Sequence, residues 1–352
     1  MNEGANDATA ELIGLLRNRK LDAPLKAQVP LALARLDGGT REEALPALVA
    51  AFADRDGDDV VRTSLAQAIG RLADARQAAA LDTLVTAVKK DRHVGTRHTA
   101  IMALAEMGLR DAADAAQHPE FHERIVGVLN DTLKDPASYT DHPWAALAAG
   151  VYAHGRPPQV AELRLTLVDE YRSQKDPAAR GAFALAIGLA GITECSDMLL
   201  KDFLDPGDPL LRGYAAVGLG LLDVRDAKAE MLALCKDNAT EPIVREQVAL
   251  GLALLQDESV VPTLIDVLGR VQLYPVSLAV ARSLGRIGDG AAIPDLAALA
   301  HDASRPDSTR GMAIVALGLL GERGDQSWNA SLREMRNAET PVTALQIVFD
   351  IL

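Results

Sequence analysis

The fold of this chain is decided by the stretch Leu211-Arg212-Gly213-Tyr214-Ala215-Ala216-Val217-Gly218-Leu219-Gly220. A basic residue near its start is followed by a run of small and apolar residues that ends on glycine. Residues 61–70, with the sequence VRTSLAQAIG, repeat this pattern. Ten copies align on the basic residue or its replacement, and between positions 180 and 310 their spacings are 32, 33, 32 and 33 residues. Such a period indicates one supersecondary unit that is stacked many times.

A second apolar stretch precedes the patterned stretch in most copies. Its apolar residues recur at steps of three and four residues, as an amphipathic helix requires. Breaks rich in Asp, Pro and Gly separate the two stretches, for example at residues 54–57 and 205–209. Asp can cap a helix, and Pro fits its first turn. Each copy therefore predicts an antiparallel pair of helices, and the chain predicts about ten such pairs.

This pattern resembles the HEAT-repeat family, in the short form of bacterial HEAT-like repeats, over roughly residues 9–352. The resemblance implies an all-α fold, a right-handed α-solenoid in one elongated, curved domain, after a disordered tail of residues 1–8. It implies that the first helices form the convex face and the second helices the concave face. It also implies that the basic anchors are structural and meet an Asp of the preceding turn. These anchors are Arg62, Arg97, Arg180, Arg212, Arg245 and Arg310.

The fourth repeat, at about residues 109–155, is irregular. The spacing from Arg97 to His142 is 45 residues, which indicates an insertion at about residues 109–120, and six of the seven histidines lie between positions 93 and 154. His122-Glu123 resembles one of the His-Glu pairs of the HEAT-like deoxyhypusine hydroxylases, which need several such pairs. Because a metal site needs three or four converging ligands, we expect surface histidines and no cofactor. The alternative is a metal site that includes His122 and His142.

The inner face of the second helices offers a candidate binding surface. In the middle copies the third and seventh positions of the pattern pair a small residue with an apolar one. One interpretation is an apolar groove for a helix or an extended peptide, because exposed apolar surface marks binding sites. The other is that close packing buries these positions. The candidate partner-binding residues are Trp144, Leu147, Leu185, Tyr214, Val217 and Leu250.

Composition narrows the class of partner. The net charge of −13 argues against nucleic acid, because phosphate backbones would be repelled. One basic stretch, residues 89–93 (KKDRH), is either a solvated loop or a small anion-contacting patch. The chain has no run of eighteen apolar residues, which predicts no membrane span. Its first twenty residues carry no secretory signal, and we therefore expect a cytoplasmic protein.

These observations predict a soluble, non-catalytic scaffold that binds a protein or peptide on its concave face. Neither a Gly-x-Ser-x-Gly elbow nor a phosphate-binding loop is present in the sequence. The alternative is a metal- or cofactor-dependent enzyme, or a maturation factor, that uses the His-rich unit 93–154. The last residues, 340–352, form an apolar segment without a polar cap. This segment either packs on its neighbour or supports self-association.

Overall fold

The computed structural model describes residues 3–35, 41–54 and 57–321, and the regular structure in these ranges is helical. This confirms the all-α class that the periodicity predicts. Short 3-10 turns lie between several of the helices. In chain order the helices are α1 (Glu3–Arg17), α2 (Ala23–Lys26), α3 (Gln28–Leu33), α4 (Arg41–Ala53), α5 (Asp59–Leu72), α6 (Ala78–Lys90), α7 (Val94–Arg110), α8 (Pro119–Lys134), α9 (His142–His154), α10 (Val160–Ser173), α11 (Pro177–Leu189), α12 (Ser196–Leu204), α13 (Pro209–Leu221), α14 (Lys228–Lys236), α15 (Pro242–Leu254), α16 (Val261–Arg270), α17 (Tyr274–Ile287), α18 (Ile293–His301) and α19 (Asp307–Gly321).

The described residues form two compact units, of which the first ends at Arg172 and the second begins at Ser173. In the first unit the helix pairs are α4/α5, α6/α7 and α8/α9, and the second members α5, α7 and α9 pack side by side. In the second unit the pairs are α12/α13, α14/α15, α16/α17 and α18/α19, and α11, α13, α15, α17 and α19 form the corresponding layer. The repeating helical hairpin is therefore confirmed in both units. The apolar segment at residues 340–352 lies outside the described residues.

Local sequence sets where the second helices begin and end. In α13 the Asp208 carboxylate accepts a hydrogen bond from the Leu211 amide at 2.8 Å, and Pro209 is the first helical residue. Asp caps and Pro in the first turn are the start signals read from the sequence. Helix α17 ends at Ile287, and the φ of 73° at its cap residue Gly288 is left-handed, a conformation that glycine adopts without strain.

Glycine lets neighbouring second helices touch backbone to backbone in the second unit. A methyl group added to Gly188 would lie 2.7 Å from the Cα of Gly218 in the next second helix. One added to Gly220 would lie 2.5 Å from the carbonyl oxygen of Gly251. The small residues of the repeat therefore set the distance between α11, α13 and α15.

Two regions, the N-terminus and the fourth repeat, differ from what the sequence predicts. Helix α1 begins at Glu3, inside the segment expected to be a disordered tail, because the sequence EGANDATAELIGLLR is rich in helix-favouring Ala, Glu and Leu. In the fourth repeat the insertion forms a 3-10 turn at Ala112–Asp114, and α8 begins only at Pro119. Among the described helices, none has both the length and the apolar character to cross a membrane.

Candidate functional site

The anchor arginines hold each second helix to the end of its first helix. Arg62 is buried and donates through Nη1 to the carbonyl oxygens of Phe52 and Asp54 at 2.8 and 2.6 Å. The same kind of bond to a main-chain carbonyl recurs at the other anchors. The pairs are Arg97 with Asp91, Arg180 with Gln174, Arg212 with Phe203, Arg245 with Cys235 and Arg310 with Ala300. Each of these arginines therefore bonds its second helix to the main chain that precedes it.

The acidic partners of the anchors differ from those expected. Four anchors form ion pairs with an acid of the following repeat. These pairs are Arg62–Asp91, Arg97–Asp141, Arg180–Asp202 and Arg212–Glu230. The Asp residues of the preceding turns, such as Asp58 and Asp208, are occupied as helix caps. Arg310 pairs instead with Asp307, the first residue of its own helix, at 3.0 Å. The four anchors Arg62, Arg97, Arg180 and Arg212 therefore tie one repeat to the next.

The expected apolar stripe is closed by helix packing. Leu147, Leu185, Val217 and Tyr214 are buried, whereas Leu250 is only half-buried. The physical reason is the close approach of the glycine-bearing helices, which leaves no open surface at these positions. Burial favours the packing interpretation over the groove.

Tyr214 illustrates this packing. Its ring covers Gly181 of the preceding second helix, where an added methyl group would lie 2.8 Å from the ring. Burial raises the pKa of the Tyr214 hydroxyl to about 12. The residue fills the space above a glycine and is not an exposed anchor.

Trp144, another of the predicted site residues, is partly exposed and belongs to an ordered cluster of side chains. Its indole is half-buried and stacks on the His98 imidazole, with ring centroids 4.6 Å apart and an interplanar angle of 16°. His98 Nε2 donates to Asp141 Oδ1 at 2.9 Å. Arg97 donates to both oxygens of the same carboxylate, at 2.9 and 3.1 Å. The cluster joins the starts of α7 and α9.

Asp141 is ionised in this cluster. Burial alone would raise the pKa of its carboxyl group, but hydrogen bonds from His98 and Arg97, together with the Arg97 charge, hold that pKa at about 2. The carboxylate therefore fixes the position of the imidazole on which Trp144 stacks.

Two exposed apolar residues lie close to this cluster in the sequence. Tyr139, in the turn before α9, is 72% exposed, and Val94, the first residue of α7, is 42% exposed. Val94 and His98 are four residues apart and share one face of α7. We call Val94, His98, Tyr139 and Trp144 the aromatic patch. Sequence reasoning missed Tyr139, although an aromatic residue in a turn otherwise made of Asp, Pro and small residues is a visible signal.

Two histidines of the fourth repeat, the half-buried His118 and the buried His122, belong to one hydrogen-bond network. His118 Nδ1 and His122 Nε2 both donate to Asp111 Oδ2, at 2.8 and 3.1 Å, and the Tyr152 hydroxyl donates to His122 Nδ1 at 2.9 Å. His122 and Tyr152 are 0% exposed. Burial lowers the pKa of His122 and raises that of Tyr152. The network ties α8 to α9 and to the end of α7, so His122 is a core residue and not the expected surface histidine.

His142 lies apart from this network. Its Nε2 donates to the carbonyl oxygen of Asp135 at 2.9 Å, which is the bond that an anchor arginine makes in other repeats. The structure therefore does not bring His122 and His142 together. Within residues 3–35, 41–54 and 57–321, no group of three His, Cys, Asp or Glu side chains is arranged to hold a metal ion.

Comparison with known families agrees with the helical repeat. Residues 196–272 and 237–318 match the family model of HEAT repeats. The helix pairs outside these residues show the same packing within their own unit. Residues 196–318 are therefore HEAT repeats, and the described helix pairs of the first unit form hairpins of the same kind. No curated protein matches its sequence.

Several solved structures are similar over most of the chain. Human deoxyhypusine hydroxylase in complex with glycerol is 20% identical, with 90% of this chain and 97% of that chain covered and a TM-score of 0.35. The complex of CpcE and CpcF of phycocyanin lyase from Nostoc sp. PCC7120 is 14% identical, with 86% and 96% covered and a TM-score of 0.43. The karyopherin Kap121p bound to the extreme C-terminus of the phosphatase Cdc14p is 13% identical, with 93% and 43% covered and a TM-score of 0.47. These similarities assign no activity, because unrelated functions share a fold.

Proposed function

We propose that this protein is a non-catalytic scaffold that binds a segment of another protein through the aromatic patch. One observation carries the proposal: the Trp144 indole is half-buried and stacked on His98. Tyr139, which precedes Trp144 in the same turn-and-helix segment, is exposed. Trp and Tyr are the residues most often found at the energetic centre of protein interfaces. The patch therefore offers two such anchors close together in one turn-and-helix segment.

The pre-arranged geometry of the patch favours binding. Ordering a mobile side chain at an interface costs about 0.5–1.5 kcal/mol. The hydrogen bonds from His98 and Arg97 to Asp141 fix the imidazole, and the imidazole in turn limits the orientation of Trp144. The conformational entropy of these side chains is therefore lost when the protein folds, and it is not lost again when a partner binds.

The proposed contact surface is narrower than the predicted stripe. It retains Trp144 and adds Tyr139, Val94 and His98, whereas the buried members of the stripe have a packing role. Leu250 is half-buried and belongs to the second unit, so it is not part of the patch.

The burial of the acid–base network supports a role without catalysis. Hydrogen bonds link the carboxylate of Asp111, the imidazole of His122 and the hydroxyl of Tyr152. A general base must come within hydrogen-bond reach of the proton that it takes from a substrate. His122 and Tyr152 have no exposed surface through which a substrate could reach them.

Affinity capture from a lysate of the source cells tests the proposal. The full chain is compared with Trp144→Ala and Tyr139→Ser, and with Tyr274→Ala as a matched control. Tyr274 is 58% exposed at the start of α17, a position similar to the start of α9 but in the second unit. We expect a protein that the wild type and Tyr274→Ala retain and that both patch variants lose.

Two results would overturn this function. The first is capture that is identical for all four chains, each shown to be folded by circular dichroism. The second is stoichiometric iron or zinc in the purified protein that is lost when His122 and His142 are replaced, which would favour the metal-dependent alternative.

A further inference from the structure

A basic stretch leads directly into the aromatic patch. Lys89 and Lys90 are the last residues of α6, and after Asp91, Arg92 and His93 the helix α7 begins at Val94, a member of the patch. Lys90 and Arg92 are exposed, and the Lys89 side chain is 52% exposed. Positive charge therefore borders the patch, although the chain as a whole carries a net charge of −13.

The acidic residues near this stretch neutralise only part of its positive charge. Asp91 is paired with the buried guanidinium of Arg62, and it also accepts a hydrogen bond from the amide of His93. Two exposed acids contact the stretch itself: Asp131 lies 3.9 Å from Lys89, and Asp59 lies 3.7 Å from His93. Neither of these contacts involves Lys90 or Arg92, whose exposed side chains are therefore open to a ligand.

The start of α7 adds to the local positive character. Helices α5, α11 and α13 begin with a carboxylate cap, supplied by Asp58, Asp176 and Asp208. In α7 the cap is the imidazole of His93, whose Nδ1 accepts from the Thr96 amide at 3.2 Å. The partial positive charge of a helix N-terminus is therefore not offset there by an acidic cap.

We propose that the segment bound by the aromatic patch is acidic, an inference that rests on the proposed function. An apolar or aromatic residue of this segment packs on Trp144 and Tyr139, and carboxylates on either side of it meet Lys90 and Arg92. Complementary charge selects partners and raises the rate of association. A basic segment is disfavoured, because it would meet like charge next to its apolar contact.

A displayed library of random 16-residue peptides provides the test. Peptides selected on the full chain are synthesised, and their affinities are measured by fluorescence anisotropy at low and high salt. The variants are Lys90→Glu with Arg92→Glu, and Trp144→Ala. The matched control is Lys201→Glu with Lys236→Glu, two exposed lysines in α12 and α14 near the ends of first helices in the second unit.

The expected result is a set of peptides enriched in Asp and Glu next to an aromatic or apolar residue. Their affinity falls about tenfold in the Lys90/Arg92 variant and falls with added salt, whereas the control changes it less than about twofold. Peptides that need Trp144 but are not acidic, or that tolerate the Lys90/Arg92 change, would overturn the acidic partner and leave the proposed function standing. Peptides that bind Trp144→Ala as well as the wild type would overturn the proposed function itself.

Discussion

Replacement of Asp141 by Asn tests the ion cluster beneath the aromatic patch. The carboxylate is 6% exposed and accepts hydrogen bonds from Arg97 and His98. Its pKa of about 2 lies almost two units below the ordinary 3.8. At about 1.4 kcal/mol per unit, the ionised group stabilises the folded state by about 2 kcal/mol. Because the pKa is lower in the folded than in the unfolded chain, this stabilisation is complete above about pH 4 and is lost as the pH falls towards 2.

Urea unfolding at pH 7 measures the effect. The chain has two tryptophans, so Trp144 emission in a Trp328→Phe background reports on the first unit directly. We expect Asp141→Asn to lower the free energy of unfolding by about 2 kcal/mol. The control is Asp131→Asn, since Asp131 is 74% exposed and its contact with Lys89 is 3.9 Å long, and a loss below about 0.5 kcal/mol is expected. Equal losses in the two variants would refute the assignment of Asp141 as the residue that holds the patch together.

Two further predictions concern packing and pH. Gly220→Ala should lower the free energy of unfolding by about 2 kcal/mol relative to Gly269→Ala, because its methyl group would lie 2.5 Å from the Gly251 carbonyl, whereas that of Gly269→Ala would meet only Leu299, at 3.7 Å. Urea titrations of both variants measure this difference, and indistinguishable midpoints would contradict close helix contact. Burial lowers the pKa of His122, so the folded chain binds this proton less readily than the unfolded chain. Stability should therefore fall as the pH drops below about 6.5. His122→Asn should flatten this dependence between pH 7.5 and 5.5, and an unchanged slope would count against it.

The sequence predicts the helical repeat well because the repeat is a local property. The apolar spacing within each helix and the Asp and Pro at helix starts are visible in one short window, and α13 begins at Pro209 as they indicate. The acidic partners of the anchors were harder to predict. Arg62 and Asp91 are 29 residues apart, and their contact depends on how one repeat is set against the next.

The candidate site was only partly predictable for a similar reason. Trp144 stands out in a chain poor in aromatic residues, but its contact with His98 spans the insertion and depends on the register of α7 and α9. The choice between the two interpretations of Leu185 and Val217 depends on interhelical distance. Their positions in the repeat are compatible with exposure in a groove or with burial between helices. The close approach of Gly188 and Gly218 brings the helices together, and both side chains are buried.

The glycines of α13 have a consequence for how this protein can change over evolution. Gly218 meets the helix before it and Gly220 meets the helix after it, so one helix carries both halves of the stacking contact. A complete helical hairpin can therefore be duplicated or lost, and each remaining second helix still packs on a matching surface. A single inserted residue within such a helix would move one glycine out of register with its neighbour. The extra residues of the fourth repeat lie in the turn after α7, outside the helix cores. Homologues should therefore differ in length by complete hairpins or by turns, and seldom within the second helices.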